Sequence, residues 1–205
     1  MDHIDVNIVI APPELICKKA RRFSKQLRKQ GTLFTLGLKD FIPHISIYMC
    51  RIPLKNLDKV QKSLSDISSL IRAFPITAYR FRNVKGGYID IRYYRNIHMR
   101  RLQFLILQQI NPLRDSLIRD KDKEKFPTYS LRKQRAIEKY GYTHINNYYF
   151  PHLTLTKLAT QLTFPEMDVP LKWEDMSFTV NKLAIYITGE HGTCRKLIKS
   201  FKLEQ

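Results

Sequence analysis

The chain has 205 residues, 43% of them hydrophobic and 26% charged, which fits one globular domain and argues against a disordered polypeptide. Its distinctive property is charge: 36 Lys and Arg against 18 Asp and Glu leave +18. Such an excess concentrates anions, so phosphate-bearing partners come first. Cys17, Cys50 and Cys194 are odd in number, far apart and without zinc spacing, so reduced, buried thiols are expected and no metal. No apolar run approaches the ~20 residues that span a bilayer. The first residues, MDHID, lack the basic and apolar stretches of a signal peptide, and a cytoplasmic location is expected.

Ile4 to Ala11 reads as a strand rich in β-branched residues, ended by Pro12 and Pro13. From Glu14 to Gln30, Leu15, Ile16, Ala20, Phe23 and Leu27 recur at helical spacing, with basic residues on the other side. Pro43 to Ile52 is a second strand, and Pro53 to Arg72 a second amphipathic helix. Pro75–Val84 and Tyr88–Tyr94 form a hairpin around Lys85-Gly86-Gly87, because glycine accepts positive φ. A third helix is predicted over Asn96–Ile118, bent or broken at Pro112. Residues 119–147 are polar, basic and tyrosine-rich, with a short helix over Leu131–Tyr140; they read as an insert or lid. Phe150–Leu158 is a strand, Ala159–Lys172 is irregular, and Ser177–Thr188 and Thr193–Leu203 close the chain as strands. Interspersed helices and hairpins predict an α+β fold with largely antiparallel sheets.

One pattern occurs twice. Pro43-His44-Ile45-Ser46-Ile47 and Pro151-His152-Leu153-Thr154-Leu155 both read P-H-h-[ST]-h, with h aliphatic, and both lie on predicted strands. Strand period puts His44 and Ser46 on one face, opposite Ile45, Ile47 and Met49. It likewise sets His152, Thr154 and Thr156 opposite Leu153 and Leu155. Imidazole has an unperturbed pKa near ~6.5, so one ring can be neutral while the other is protonated. The neutral ring takes a proton from the attacking water or hydroxyl, and the charged ring gives one to the leaving oxygen. The hydroxyls of Ser46 and Thr154 can donate to non-bridging phosphate oxygens. Each ring also needs an orienting partner, which no sequence pattern names.

The paired motifs, in a basic chain of this size and with Tyr140-Gly141-Tyr142 ahead of the second, resemble the 2H phosphoesterase superfamily. That family includes RNA 2′,3′-cyclic phosphodiesterases, also called 2′-5′ RNA ligase-like proteins. The resemblance implies one bilobal domain over 1–205 with a pseudo-two-fold axis. Two antiparallel sheets flank a central cleft, and helices lie outside. It implies His44 and His152 as the catalytic pair, Ser46 and Thr154 as phosphate-binding residues, and no cofactor or metal. By analogy within the family, His152 is placed as base and His44 as acid. The irregular Ala159–Lys172 departs from the symmetry, since a long helix would follow the motif strand in the other half.

Tyr48, Arg92, Tyr142 and Tyr186 are candidate substrate contacts, and aromatics beside a phosphate site can stack bases. Tyr88 and Tyr94 share the alternation of Arg92, and Lys157 and Arg51 follow the motif strands. Of the other histidines, His3, His98 and His191 read as surface or structural, and His144, in the basic insert, is the one to watch. The expected protein is a monomeric, metal-independent hydrolase opening 2′,3′-cyclic phosphates on RNA or nucleotides. Two other functions fit the same residues: cleavage of 2′-5′-linked or cyclic oligonucleotide messengers, and a non-catalytic RNA-binding module. The chain has no P-loop and no glycine-rich nucleotide fingerprint, which disfavours ATP-driven chemistry.

Overall fold

The computed structural model describes residues 2–84, 86–160 and 173–204. Among the described residues nine strands and five α-helices follow in the order β1 (His3–Ile10), α1 (Glu14–Gln26), β2 (Ile45–Pro53), α2 (Leu57–Leu70), β3 (Phe74–Ile76), β4 (Ala78–Val84), β5 (Tyr88–Tyr93), α3 (Ile97–Ile110), α4 (Asp120–Lys125), α5 (Leu131–Tyr140), β6 (His152–Lys157), β7 (Phe178–Val180), β8 (Lys182–Thr188) and β9 (Cys194–Lys202). Seven strands form one sheet in the order β4-β5-β6-β2-β1-β8-β9, and β3 and β7 form a small second sheet. The expected α+β class holds. Two antiparallel halves, β4-β5-β6 and β2-β1-β8-β9, meet where β2 and β6 share the single registered pair Ile45↔Leu153. That pair marks the pseudo-two-fold axis, and each half contributes its motif strand to the centre.

Both Ile45 and Leu153 are fully buried, in the core formed with Val60, Leu64 and Ile67 of α2 and Met99, Leu102 and Ile106 of α3. α1 adds Ile16 and Ala20 to the same core. Burying each such side chain contributes about 1.5–3 kcal/mol, so this apolar face fixes which side of the sheet is inward. α3 starts at Asn96, whose Oδ1 accepts from the Met99 amide at 2.9 Å. It stops at Ile110, and Pro112 lies in the 3₁₀ turn that follows.

The 119–147 segment is more ordered than its composition suggests. Besides α5, at the bounds the sequence gives, it contains α4. The sequence of α4, DKDKEK, has no apolar stripe, and polar anchors hold it instead. Arg51 bonds Asp120 at 2.6 Å and Asp5 at 2.7 Å, and Arg119 bonds Asp122 at 2.7 Å. Buried Arg114 donates to the Glu138 carbonyl at 3.0 Å, tying α5 down. The helix-deficient stretch expected at 159–172 lies almost wholly outside the described residues. Among those residues no helix is long and apolar enough to cross a membrane.

The β4–β5 hairpin places a testable constraint on the centre. Gly87 has φ +81°, and a Cβ there would stand 2.8 Å from the Leu158 carbonyl oxygen. Gly31 has φ +72° with nothing within 4 Å of a Cβ. Gly87→Ala combines backbone strain with a clash against the Leu158 backbone at the end of β6 and is expected to lose about 2–4 kcal/mol, against about 1 for Gly31→Ala. Urea unfolding measures both, and equal losses would refute the close approach.

Candidate active site

The Ile45↔Leu153 pairing builds the site. Residues two apart on a strand share a face, so His44, Ser46, His152 and Thr154 all project from the side of the sheet opposite the core. Carrying the antiparallel register one step outward sets Ser46 across from His152, and His44 across from Thr154. All four line one cleft of about 610 Å³. The motifs therefore converge at the seam between the halves.

Each ring has the orienting partner that the sequence left unnamed. His44 Nδ1–H donates to the Ile42 carbonyl at 2.7 Å, and His152 Nδ1–H donates to the Phe150 carbonyl at 2.8 Å. A carbonyl only accepts, so the proton sits on Nδ1 and Nε2 is left for chemistry. Both partners lie two residues upstream, across the motif proline, which repeats the pseudo-symmetry at atomic level.

The neighbouring strands break that symmetry. Asn7 of β1 donates from Nδ2 to Ser46 Oγ at 2.9 Å, and the same nitrogen stands 3.4 Å from His44 Nε2. Ser46 thus accepts from the amide and keeps its own proton to give. In the other half Thr154 Oγ1 donates to Asp90 Oδ1 at 2.8 Å, and Asp90 pairs with Arg92 at 3.2 Å. A neutral amide serves one motif and a buried ion pair the other. Asn7 and Asp90 are polar residues inside the largely apolar strand segments IDVNIVI and YIDIRY, and that polar interruption is the sequence signal of their role.

Burial lowers the His44 pKa to about 4, with a smaller contribution from the charge of His152. The Ile42 carbonyl opposes this only partly. His44 is therefore neutral at physiological pH. Its folded pKa lies below the unfolded value, so the unfolded chain takes up this proton first. Stability is complete above pH ~6.5 and falls as pH drops to about 4, by up to about 3 kcal/mol. Urea unfolding at pH 7.5, 6 and 5 in phosphate-free buffer is expected to show this slope, and His44→Gln to make it shallower, with the share of His144 remaining. An unchanged slope would contradict the desolvated, neutral ring.

Of the weaker candidates, Arg92 and Tyr142 line the cleft, and so do Tyr88 and Lys157. Tyr48 does not: it is fully buried, and its hydroxyl donates to the Tyr140 carbonyl at 2.6 Å, with Asn111 Oδ1 3.0 Å away. The cause is a bulge. The register runs Ile8↔Tyr48 and then Val9↔Ser46, so one residue of β2 is unmatched and the alternation changes phase. Met49, expected among the core residues, faces the cleft in place of Tyr48. β6 repeats the device: Ile89↔Thr156 is followed by Asp90↔Thr154, so Leu155 is unmatched. Thr156 turns inward to donate to the Phe34 carbonyl, and Lys157 takes the cleft face.

Tyr186 is also corrected. It is 8% exposed and packs with Val9, Ala184 and Cys194 in a small cluster outside the cleft lining. Tyr94 lies on the surface, stacked on Tyr79 at 4.6 Å, and Arg51 is committed to the anchoring of α4. His191, expected to be structural or superficial, lines the cleft and stacks on Phe34 at 5.9 Å. His144 lines it too, 6.4 Å from the His152 ring. Desolvation against the wall, then His152 and Arg92, lower the pKa of His144, although its exposed edge lets water screen part of this. Lys121, Lys125 and Lys133 of the insert complete one wall. Among the described residues no group of three or more His, Cys, Asp or Glu converges to hold a metal ion.

No protein-family model matches the chain, and no curated protein matches its sequence. Solved structures do match its fold. E. coli LigT complexed with phosphate aligns over 100% of both chains at 12% identity, with a TM-score of 0.60. A protein from Thermus thermophilus, TT0787, aligns over 98% of both at 12% identity, with a TM-score of 0.63. A structure described as a phosphoesterase aligns over 98% of this chain and 99% of its own at 13% identity, with a TM-score of 0.60. The architecture expected from the paired motifs, that of the LigT-like 2H phosphoesterase fold, is thus the one this chain adopts.

Proposed function

We propose that this chain, which has the LigT-like 2H phosphoesterase fold, is a phosphodiesterase that opens 2′,3′-cyclic phosphates at the ends of RNA or on nucleotides. The observation that carries the reading is the register at the seam, which turns both motif histidines and both motif hydroxyls to one basic cleft. Support comes from the fold neighbours, among them LigT structures with phosphate and with 3′-AMP.

The reaction is a single in-line displacement at phosphorus. Neutral His44 accepts a proton from water at Nε2 as the water oxygen bonds to phosphorus. The bond from phosphorus to one ribose oxygen breaks, and His152, protonated at Nε2, gives its proton to that oxygen. These roles reverse the assignment made by family analogy, because the desolvated ring is the one held neutral. Ser46 donates to a non-bridging oxygen, and Thr154 joins it by rotating its hydroxyl away from Asp90. We place the protein in the cytoplasm as a monomer, working without metal.

A substrate panel in EDTA tests the reading: 2′,3′-cyclic nucleotides, RNA ending in a cyclic phosphate, 2′-5′ oligoadenylate and cyclic dinucleotides. Turnover is expected with cyclic phosphate ends. Preference for 2′-5′ or cyclic oligonucleotides would move the assignment to messenger cleavage. Tight, salt-sensitive RNA binding with no turnover would replace it with a binding module.

A further inference from the structure

A single reacting phosphodiester carries one negative charge, and the cleft holds far more positive charge than that requires. Arg92, Lys121, Lys125, Lys133 and Lys157 line it, and among the described residues Asp90 is the only carboxylate in the lining. Arg92 is already matched by Asp90. Lys157 lies beside the second motif, 5.3 Å from the centre of the Tyr88 ring. The other three cations all come from the insert.

Their arrangement is selective. Lys121 and Lys125 are four apart on α4, so they share a face. Lys133 lies in the first turn of α5. Of the acidic residues of α4, Asp120 pairs with Arg51 and Lys123 and Asp122 with Arg119, while Glu124 is exposed and lies outside the cleft lining. Among the described residues, Lys121, Lys125 and Lys133 form no ion pair. Like charges four apart destabilise a helix by a few tenths of a kcal/mol, so a six-residue helix keeps this spacing against its own stability. Desolvation, then Arg119 and Lys125, lower the pKa of Lys121, and a bound anion would counter the repulsion among these cations. Buried Arg114 and the Arg51–Asp120 pair hold this wall in place without any ligand.

We propose that α4 and α5 form a second phosphate subsite, in which Lys121, Lys125 and Lys133 bind a phosphate other than the one between the histidines. The substrate is then a nucleotide species with at least two phosphates. The second is either an internucleotide phosphate or one on the 5′ end; both present the same chemistry to the lysines. This inference rests on the reacting phosphate lying between His44 and His152, as proposed above.

Equilibrium binding tests it without relying on turnover. Calorimetry compares adenosine 3′-monophosphate with adenosine 3′,5′-bisphosphate and with the trinucleotide ApApAp. At low salt at least one of the two richer ligands is expected to bind about tenfold or more tightly than the monophosphate, with a steeper salt dependence. Which of them gains identifies the source of the second phosphate. The ratio is expected to collapse toward one in K121Q/K125Q/K133Q and to survive in K121R/K125R/K133R, whose charges are intact. No preference in the unmodified protein, or a preference unchanged by the Lys→Gln substitutions, overturns the subsite. Failure of the catalytic reading looks different: His44→Ala then leaves monophosphate affinity unchanged while the lysine-dependent preference persists.

Discussion

His44→Ala and His152→Ala are each expected to lower kcat/KM for a 2′,3′-cyclic nucleotide by about 10²–10⁴, the range for removal of a general acid or base. The double variant should fall little further, because two groups that act together in one concerted step do not contribute additively. KM should move less than kcat, since Ser46, Thr154 and the cationic wall are untouched. The pH profile separates the roles. With His44 as base, activity is lost as pH falls toward about 4, where the half-buried ring protonates. With His44 as acid, activity would be lost as pH rises through that same value and would be weak at neutrality. Steady-state kinetics of both variants checks the pair, and either one keeping more than about a tenth of wild-type kcat/KM would remove that histidine from the chemistry.

The second large effect concerns stability. Asp90 and Arg92 are 3% and 7% exposed, and their charges meet at 3.2 Å behind Thr154. Asp90→Ala leaves a buried guanidinium without its counter-charge, and Arg92 Nε already lacks a partner. The expected loss is about 3–5 kcal/mol in urea unfolding. Replacing both at once, Asp90→Ala with Arg92→Met, removes the stranded charge and is expected to recover much of that loss. The two experiments together separate support of Thr154 from mere charge balance. Asp90→Asn keeps an acceptor for the threonine hydroxyl and should retain more activity than Asp90→Ala. Equal activity in both would show that the hydroxyl's orientation is irrelevant.

The motifs were legible because they are local: a strand places positions i and i+2 together whatever surrounds it. His44, Ser46, His152 and Thr154 accordingly share the cleft. The face of α2 was legible for a similar reason, its apolar periodicity, and so was that of α1 except for Leu15, which is exposed. Tyr48 shows where this logic stops. Its alternation extends correctly from Ser46 on paper, and one unmatched residue in the β1–β2 register sends it into the core. Thr156 and Lys157 exchange places through the matching bulge in β6. Such bulges depend on how two distant strands fit, which no single strand encodes. α4 was missed because ion pairs from Arg51, itself held by Asp5, and from Arg119 hold it, and its own sequence carries no stripe. The orienting carbonyls of Ile42 and Phe150 are backbone atoms and leave no trace in residue identity.

The most direct test of a shared phosphorus centre is a crystal structure with adenosine 3′-monophosphate bound. The account predicts one phosphate group with Nε2 of His44, Nε2 of His152 and Oγ of Ser46 all within hydrogen-bond distance, and the base directed away from the seam. A phosphate that touches only one of the two rings, or that settles on the lysine wall and leaves the histidines unliganded, would contradict it.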